Sequence, residues 1–271
     1  MNFLPEINHD LSLAKKYALV GSGAGLSNLD PTDVWDATLL KAWWDPSETN
    51  WKNSAAQDFI TFNGSDVSQI DDRSGNNNDL AQSVEANQPT TGSINSIRSI
   101  LFQLENLDNS SLSSTQPTMI FLGANITTWG NSQALFDGSV SDGRNMLRKN
   151  GAGTLLEMFA GAVSATSVAP PTGANHLFGV LYNGASSEFW LDAVLEDTES
   201  AGAQNLSGFR LGSIWDGTAE MTHVDVMDVF IVDEDPSDSN RQKAEGFLAW
   251  KWGMEDNLPV DHPYKNEQPL V

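Results

Sequence analysis

The chain has 271 residues, and its 14 Lys and Arg against 36 Asp and Glu give a formal charge of -22. So few cations cannot build a basic face, which excludes nucleic-acid binding by phosphate neutralisation and docking on anionic lipid headgroups. Cysteine is absent, which excludes disulfides, thiolate metal sites and cysteine catalysis. No apolar run is long enough to span a bilayer, so we expect no membrane insertion.

Residues 1–36 differ in composition from the rest of the chain. A glycine-rich run at 21–25 is typical of a flexible joint, and it lacks the third glycine of a dinucleotide-binding fingerprint. Residues 1–6 have neither the basic nor the apolar part of a secretory signal. We therefore expect an extended arm and hinge at 1–36, in a protein that is not exported by that route.

From residue 37 onward, short apolar runs alternate with Gly, Asn, Asp and Ser clusters. Clear examples are residues 118–124, 176–182 and 221–232, and Asn183-Gly184 is a hairpin signal. Strands of five to eight residues with turns between them predict an all-β fold, an antiparallel two-sheet sandwich. We expect this sandwich to occupy residues 37–271 as one domain.

One helix is predicted near the C-terminus. Ser237 or Asp238 is a suitable N-cap, an apolar stripe includes Phe247, Leu248 and Trp252, and Gly253 stands where a helix ends.

Several strings together resemble a known family. They are LLKAWWD (39–45), DDRSGNNNDLAQ (71–82), NQPT (87–90), PTMIF (117–121) and AEGFLAWKWG (244–253), followed by LP (258–259) and HPYK (262–265). In these strings the chain is similar to the concanavalin A-like, laminin-G-type jelly rolls of phage and marine bacterial proteins, over about residues 37–266. One departure is Ile70, where family members commonly carry Trp. The resemblance implies a two-sheet jelly-roll sandwich whose ligands, where present, are sugars, often with calcium.

A loop rich in Asp and Asn is the candidate metal site. Asp72, Asn76, Asn78 and Asp79 supply the oxygen ligands that calcium prefers. Asp137 and Asp142 mark a second, weaker loop. The alternative for both loops is a turn whose side chains bond their own backbone.

Two loop tryptophans are the candidate carbohydrate platforms. Trp129 with Asn131, and Trp215 with Asp216, combine an aromatic face with a polar neighbour, which is the arrangement that sugar rings prefer. Trp51 is a third candidate. The alternative is that these indoles fold over the edge of the sandwich.

The nearest approach to a catalytic string is HVDVMD at 223–228. Related jelly-roll glucanases carry E-x-D-x-x-E on one strand, and here His223 and Asp228 replace the two glutamates. We therefore expect a protein that is not an enzyme, with Asp225 and Asp228 as a degraded remnant of that string.

The resulting hypothesis is a non-enzymatic surface protein of a bacteriophage virion, a head decoration, fibre or tail-associated component. Residues 1–36 would bind other virion proteins, and the sandwich would face outward to bind host or environmental glycans. The alternatives are a polysaccharide hydrolase or lyase, and a purely structural cement protein. An extracellular location and self-association are left open.

Overall fold

In the computed structural model, residues 28–47, 51–52, 64–151 and 153–271 are described. Within them, eight strands form one antiparallel sheet, sheet I, and nine form a second, sheet II. Sheet I contains β1 (Leu40–Trp44), β5 (Thr90–Ile94), β6 (Ile97–Gln103), β8 (Thr118–Thr128), β13 (Asn175–Tyr182), β14 (Ser187–Leu191), β15 (Val194–Glu199) and β17 (His223–Val232). Sheet II contains β2 (Trp51–Lys52), β3 (Gln69–Ile70), β4 (Leu80–Ala81), β7 (Leu107–Ser114), β9 (Ala134–Asp137), β10 (Met146–Lys149), β11 (Leu156–Phe159), β12 (Val163–Ala165) and β16 (Leu206–Leu211).

The order of strands in each sheet confirms the predicted sandwich. Sheet I runs β15-β14-β13-β8-β17-β6-β5, with β1 also paired to β17, and sheet II runs β12-β11-β10-β9-β16-β7-β4-β3-β2. The long strands β8 and β17 pair at the centre of sheet I although about a hundred residues separate them in the chain. The predicted hairpin at Gly184, whose φ is 59°, connects β13 to β14.

Alternation along β8 separates two hydrophobic cores. Ile120, Leu122 and Ala124 point between the two sheets, while Met119 and Phe121 point to the outer face of sheet I. This period of two is what a strand buried on both faces requires. The inter-sheet core and the outer core therefore share the central strands.

A helix covers the outer face of sheet I. This helix, α2 (Asp238–Trp252), begins at Ser237, whose hydroxyl accepts a hydrogen bond from Asn240 N, and ends at Gly253 with φ 67°. Both caps match the sequence-based prediction. Two short 3-10 turns, Glu85–Asn87 and Glu255–Asn257, complete the elements. None of the helices in the described residues has the length and apolar character needed to cross a membrane.

The last part of the predicted arm packs against the sandwich. A four-residue helix, α1 (Pro31–Val34), is capped by Asp30, and Trp35 packs 6.0 Å from Phe121 between ring centroids. Leu29 is also buried, and its N–H donates to Pro269 O at 3.3 Å. Residues 28–36 therefore belong to the outer core, and residues 1–27 lie outside the described residues.

Candidate glycan-binding site

Asp228 lies in the outer core beneath α2. Its carboxylate accepts hydrogen bonds from the indole nitrogens of Trp43 and Trp252, each at 2.7 Å, and Lys251 Nζ lies 2.8 Å away. Burial, reinforced by the nearby Asp45 carboxylate, raises the pKa of Asp228 to about 6 against the lowering effect of Lys251. The side chain is fully buried, so this acid ties the helix to the sheet and does not face a substrate.

A second buried acid extends this network to the surface. Asp45 Oδ1 lies 2.5 Å from Lys251 Nζ, and Asp45 Oδ2 lies 2.8 Å from Arg73 Nη1. The guanidinium of Arg73 stacks 4.5 Å from the centre of the Trp43 ring. A cleft of about 440 Å³ opens beside these groups, and Phe247 also lines it. Both cations are bound to Asp45, so their charge anchors α2.

Asp225, three residues before Asp228, has different surroundings. It lies partly exposed on the outer face of sheet I, beyond the area that α2 covers. A Cβ added at Gly92 would lie 2.7 Å from Asp225 Oδ1 and 2.8 Å from Ser99 Oγ, so both oxygens occupy the space above that glycine. Within the described residues, neither oxygen has a hydrogen-bond partner of ordinary geometry. Burial raises the pKa of Asp225, and the Ser99 hydroxyl acts in the opposite direction.

The predicted metal loop is held by hydrogen bonds within the protein. Asp72 Oδ1 accepts from the N–H groups of Trp43 and Ser74, at 2.9 and 2.8 Å, and Oδ2 accepts from Asn78 N at 3.0 Å. Asp79 Oδ1 accepts from Asp72 N at 2.8 Å. The bonds within the loop are side-chain-to-backbone turns of the kind weighed as the alternative to calcium, and the bond from Trp43 N comes from β1.

The two asparagines of this loop point their amide nitrogens at β1. Asn76 Nδ2 donates to Leu40 O, and Asn78 Nδ2 donates to Lys41 O, both at 2.7 Å. In the described part of the chain, no three His, Asp or Glu side chains are grouped closely enough to hold a metal ion. The loop therefore clamps β1, and calcium binding there stays a prediction.

The two loops that carry Trp129 and Trp215 meet at one end of the sandwich. The first, residues 129–133, joins β8 to β9, and the second, which we call the Trp215 loop, is residues 212–222 between β16 and β17. Ala134 N donates to Glu220 O at 2.8 Å, and His223 pairs with Thr128. The fold thus brings together two segments that sequence analysis selected separately.

The two indoles differ within this end. Trp129 packs against the inter-sheet core, and its buried Nε1 has no hydrogen-bond partner among the described residues. Its exposed neighbour Asn131 accepts a long hydrogen bond, 3.4 Å, from Lys149 Nζ. Trp129 and Trp215 are both partly exposed, but exposed Asp216 follows Trp215. Trp215 is therefore the better platform, and no side chain is described for Trp51.

Asp216 has a local role as well. Its Oδ1 accepts hydrogen bonds from Thr218 N at 2.9 Å and Ala219 N at 3.3 Å, which closes a turn immediately after Trp215.

Three contacts fix the Trp215 loop to sheet II. Trp215 N donates to Asp137 Oδ2 at 3.0 Å. Arg148 Nη1 lies 2.8 Å from Glu220 Oε2, and Asn106 Nδ2 donates to Gly217 O at 3.2 Å. A loop held in this way loses little conformational freedom when it binds a ligand.

Sequence analysis missed most of these supporting residues. Arg148, Glu220 and Asn106 stand in unremarkable stretches of sequence, and pairing across distant strands brings them to the loop. Asp137 was noticed, but as a weak metal candidate; its carboxylate instead binds Arg144 Nε at 2.8 Å. The exposed loop position of Trp215 was the one signal that the sequence supplied.

In sequence, the chain matches no protein-family model and no curated protein. Its fold is similar to domain 4 of AbnA, a GH43 extracellular arabinanase from Geobacillus stearothermophilus in complex with arabinotriose, with a TM-score of 0.56, 10% identity, and coverage of 78% of this chain and 98% of that one. It is similar to a GH54 α-L-arabinofuranosidase, with a TM-score of 0.61, 11% identity, and coverage of 83% of this chain and 66% of that one. A sialidase of Trypanosoma rangeli matches with a TM-score of 0.51, 11% identity, and coverage of 84% and 36%. The chain thus spans about two thirds of the arabinofuranosidase and about a third of the sialidase.

These similarities correct one expectation. The protein was expected not to be an enzyme, and that expectation is contradicted, because the arabinofuranosidase that shares its fold is a glycoside hydrolase and the arabinanase domain is part of one. At 10–11% identity the likeness itself shows the fold alone. The two-sheet sandwich implied by the family resemblance is confirmed, and the comparisons do not support a virion context.

Proposed function

We propose that this protein is carbohydrate-active and binds an oligosaccharide at the Trp215 loop. The observation that carries the proposal is a partly exposed indole on a loop that three contacts to sheet II already hold in place. A sugar ring stacks its apolar face on an aromatic ring and bonds its hydroxyls to polar neighbours. Trp215 and exposed Asp216 offer that combination.

The substrate class to try first is an arabinose-containing oligosaccharide. Domain 4 of the arabinanase, which this chain covers almost completely, was solved with arabinotriose, and a second structural neighbour is an arabinofuranosidase. Both similarities support a neutral sugar as the ligand. An extracellular location is consistent with the same proposal, since the arabinanase is itself extracellular.

Isothermal titration with arabinotriose and a panel of neutral and acidic oligosaccharides tests binding. We expect Trp215→Ala to lose measurable binding, because the platform is removed. Trp129→Phe is the matched control: it keeps an aromatic ring in the core and should bind like the unmodified protein. Equal affinity of Trp215→Ala and the unmodified protein would sink the proposed site, and no binding to any glycan would sink the function.

A second candidate function is hydrolysis of a glycosidic bond, and Asp225 is the observation that favours it. Its carboxyl is partly exposed, and burial raises its pKa, which is the direction that favours a general acid. In hydrolysis it would give a proton to the leaving oxygen while one water adds across the broken bond. Asp228 is not the second acid, because the two indoles and Lys251 occupy its carboxylate.

Release of reducing sugar from arabinan and related polysaccharides tests hydrolysis. If the unmodified protein releases reducing sugar, Asp225→Asn should release none. Asp256→Asn, which changes a fully exposed acid, is the charge-matched control. Unchanged release in Asp225→Asn would remove that residue from the reaction. A lyase would instead generate unsaturated sugar ends, which are detected by their ultraviolet absorbance.

Attachment to virion proteins, a place on a virion surface and self-association stay predictions. The structure alters how attachment should be tested, because Leu29 and Trp35 are buried in the outer core. A deletion should therefore stop at residue 27 and leave α1 intact. Incorporation of this truncated chain into particles at the same level as the full chain would contradict anchoring through the predicted arm.

A further inference from the structure

Asp137 is the buried acid beneath the Trp215 loop. Its side chain is completely buried at the end of β9, in sheet II. Oδ2 accepts hydrogen bonds from Arg144 Nε at 2.8 Å, Arg144 Nη2 at 2.5 Å and Trp215 N at 3.0 Å. Oδ1 accepts from Gly138 N at 2.8 Å. All four of these hydrogen bonds are donated to the carboxylate.

The bond to Trp215 N differs from the other two contacts of the loop. Glu220 and Gly217 are held some residues away from the indole, whereas Asp137 bonds the backbone of Trp215 itself. Hydrogen bonds to a charged group are about twice as strong as neutral ones. The position of the Trp215 backbone decides where its ring lies, since χ1 and χ2 then choose among a few rotamers.

Arg144 partly offsets the effect of burial on this carboxylate. Burial raises the pKa of Asp137, while the guanidinium and the backbone N–H groups of Trp215 and Gly138 lower it. The Arg144 side chain is 16% exposed, and its guanidinium lies 4.9 Å from the centre of the Phe159 ring. The pair is therefore a fixed support and not a mobile surface ion pair.

We infer that Asp137 is the positioning residue of the glycan platform: with Arg144 it fixes the Trp215 backbone so that the indole is ready to stack on a sugar. The inference rests on the proposed binding at Trp215 and extends it to a residue that touches no sugar. Asp137→Asn is the direct test. The new amide places an NH2 group where one carboxylate oxygen was. In one orientation this group faces Gly138 N–H, and in the other it faces Trp215 N–H and the Arg144 guanidinium, so it meets a donor in both.

Two readouts separate positioning from general stability. We expect Asp137→Asn to bind arabinotriose about tenfold more weakly than the unmodified protein. Exchange of the Trp215 backbone amide with deuterium, followed by NMR, should become at least about tenfold faster, because that N–H loses its acceptor. Asp45→Asn is the matched control: it also removes a buried, arginine-paired carboxylate, yet should leave both quantities unchanged.

Arg144→Lys is the second variant if Asp137→Asn does not fold. It keeps the charge but loses the two-nitrogen contact, so a smaller weakening of binding and partial loss of Trp215 amide protection are expected. The inference is overturned if these variants keep the binding and the Trp215 amide protection of the unmodified protein while Trp215→Ala abolishes binding. In that case the proposed function still stands. If the unmodified protein binds no glycan, or Trp215→Ala binds normally, the proposed function fails and the inference fails with it.

Discussion

Asp225 and Asp228 stand three residues apart on one strand, and the protein uses them in opposite ways. Asp228 is completely buried, with two indole N–H groups and a lysine around it. Asp225 is partly exposed and keeps one oxygen without a partner among the described residues. The comparison shows that the groups around an acid, more than its position in a sequence motif, decide whether it stabilises the fold or is available to react.

A bulge in β17 places Asp228 on the outer face of sheet I, beneath α2. Val226 pairs with Ala124 and Val229 with Leu122, so Met227 and Asp228 together face the single residue Gly123. In a regular strand, residue 228 would point between the sheets with Val226. The bulge turns Asp228 to the side of α2 instead, where Trp43, Lys251 and Trp252 meet it.

The largest expected difference between the two acids is in stability, when each is replaced by alanine. Asp228→Ala leaves two buried indole N–H groups without their acceptor and removes one of the two carboxylates that Lys251 contacts, so the free energy of unfolding should fall by about 3–5 kcal/mol. Asp225→Ala should change it by about 1 kcal/mol or less, because Asp225 is partly exposed and its contact with Ser99 lacks ordinary hydrogen-bond geometry. Urea unfolding followed by circular dichroism measures both. Equal losses for the two variants would contradict the contrast.

Removing one donor tests the network from the other side. Trp252→Phe should lower the free energy of unfolding by about 2 kcal/mol, because a buried charged acceptor loses a partner and some apolar area is lost. Trp250→Phe is the control, since its Nε1 donates to Tyr264 O, a neutral and partly exposed acceptor. If Trp250→Phe lowered the free energy of unfolding as much as Trp252→Phe, the hydrogen bond to Asp228 would contribute no more than a bond to a neutral acceptor.

The pH dependence of stability separates the two acids next. The pKa of Asp228 is about 6 in the folded protein and near 3.8 when unfolded, so the folded state binds more protons between these values. Its contribution should therefore raise the free energy of unfolding by about 1–2 kcal/mol as the pH falls from 7.5 to 5. Asp228→Asn should lack this gain. If the unmodified protein and Asp228→Asn showed the same pH dependence of unfolding free energy between pH 5 and 7.5, Asp228 would not titrate in that range.

The smallest expected effect concerns the space above Gly92. In Gly92→Ala the new methyl group would lie 2.7 Å from Asp225 Oδ1, so the carboxylate must move toward solvent. We expect a loss of about 1 kcal/mol in unfolding free energy, with a lower pKa for Asp225 because its carboxylate is better hydrated. NMR titration of the Asp225 carboxyl carbon measures that pKa. An unchanged pKa would mean that burial over Gly92 is not its cause.

Predictions from sequence succeeded where local physics decides the structure. The caps of α2 at Ser237 and Gly253, and the strands at the apolar runs 118–124 and 176–182, depend mainly on neighbouring residues. The Asp72 loop illustrates the limit. Its composition suits both a calcium site and a set of turns, and the donors that satisfy Asp72 include Trp43 N, on a strand nearly thirty residues away in the chain.

The same limit applies to the candidate site. The sequence selected Trp129 and Trp215 equally, because both stand in loops with polar neighbours. Packing separates them: Trp129 packs against the inter-sheet core, whereas Trp215 stands on a loop that Asp137, Arg148 and Asn106 hold. Each of these contacts joins segments that are distant in the chain, and no local pattern encodes them.

The sequence by itself therefore determined the class of fold, the helix and its limits, and the absence of cysteine chemistry, because periodicity, caps and composition are readable residue by residue. Tertiary structure alone decided which acids are buried, which indole is presented, and that residues 28–36 belong to the outer core. The physical reason is that burial and hydrogen-bond partners depend on contacts between distant strands. A net charge of -22 states how many acids there are, and only the fold states which of them water can reach.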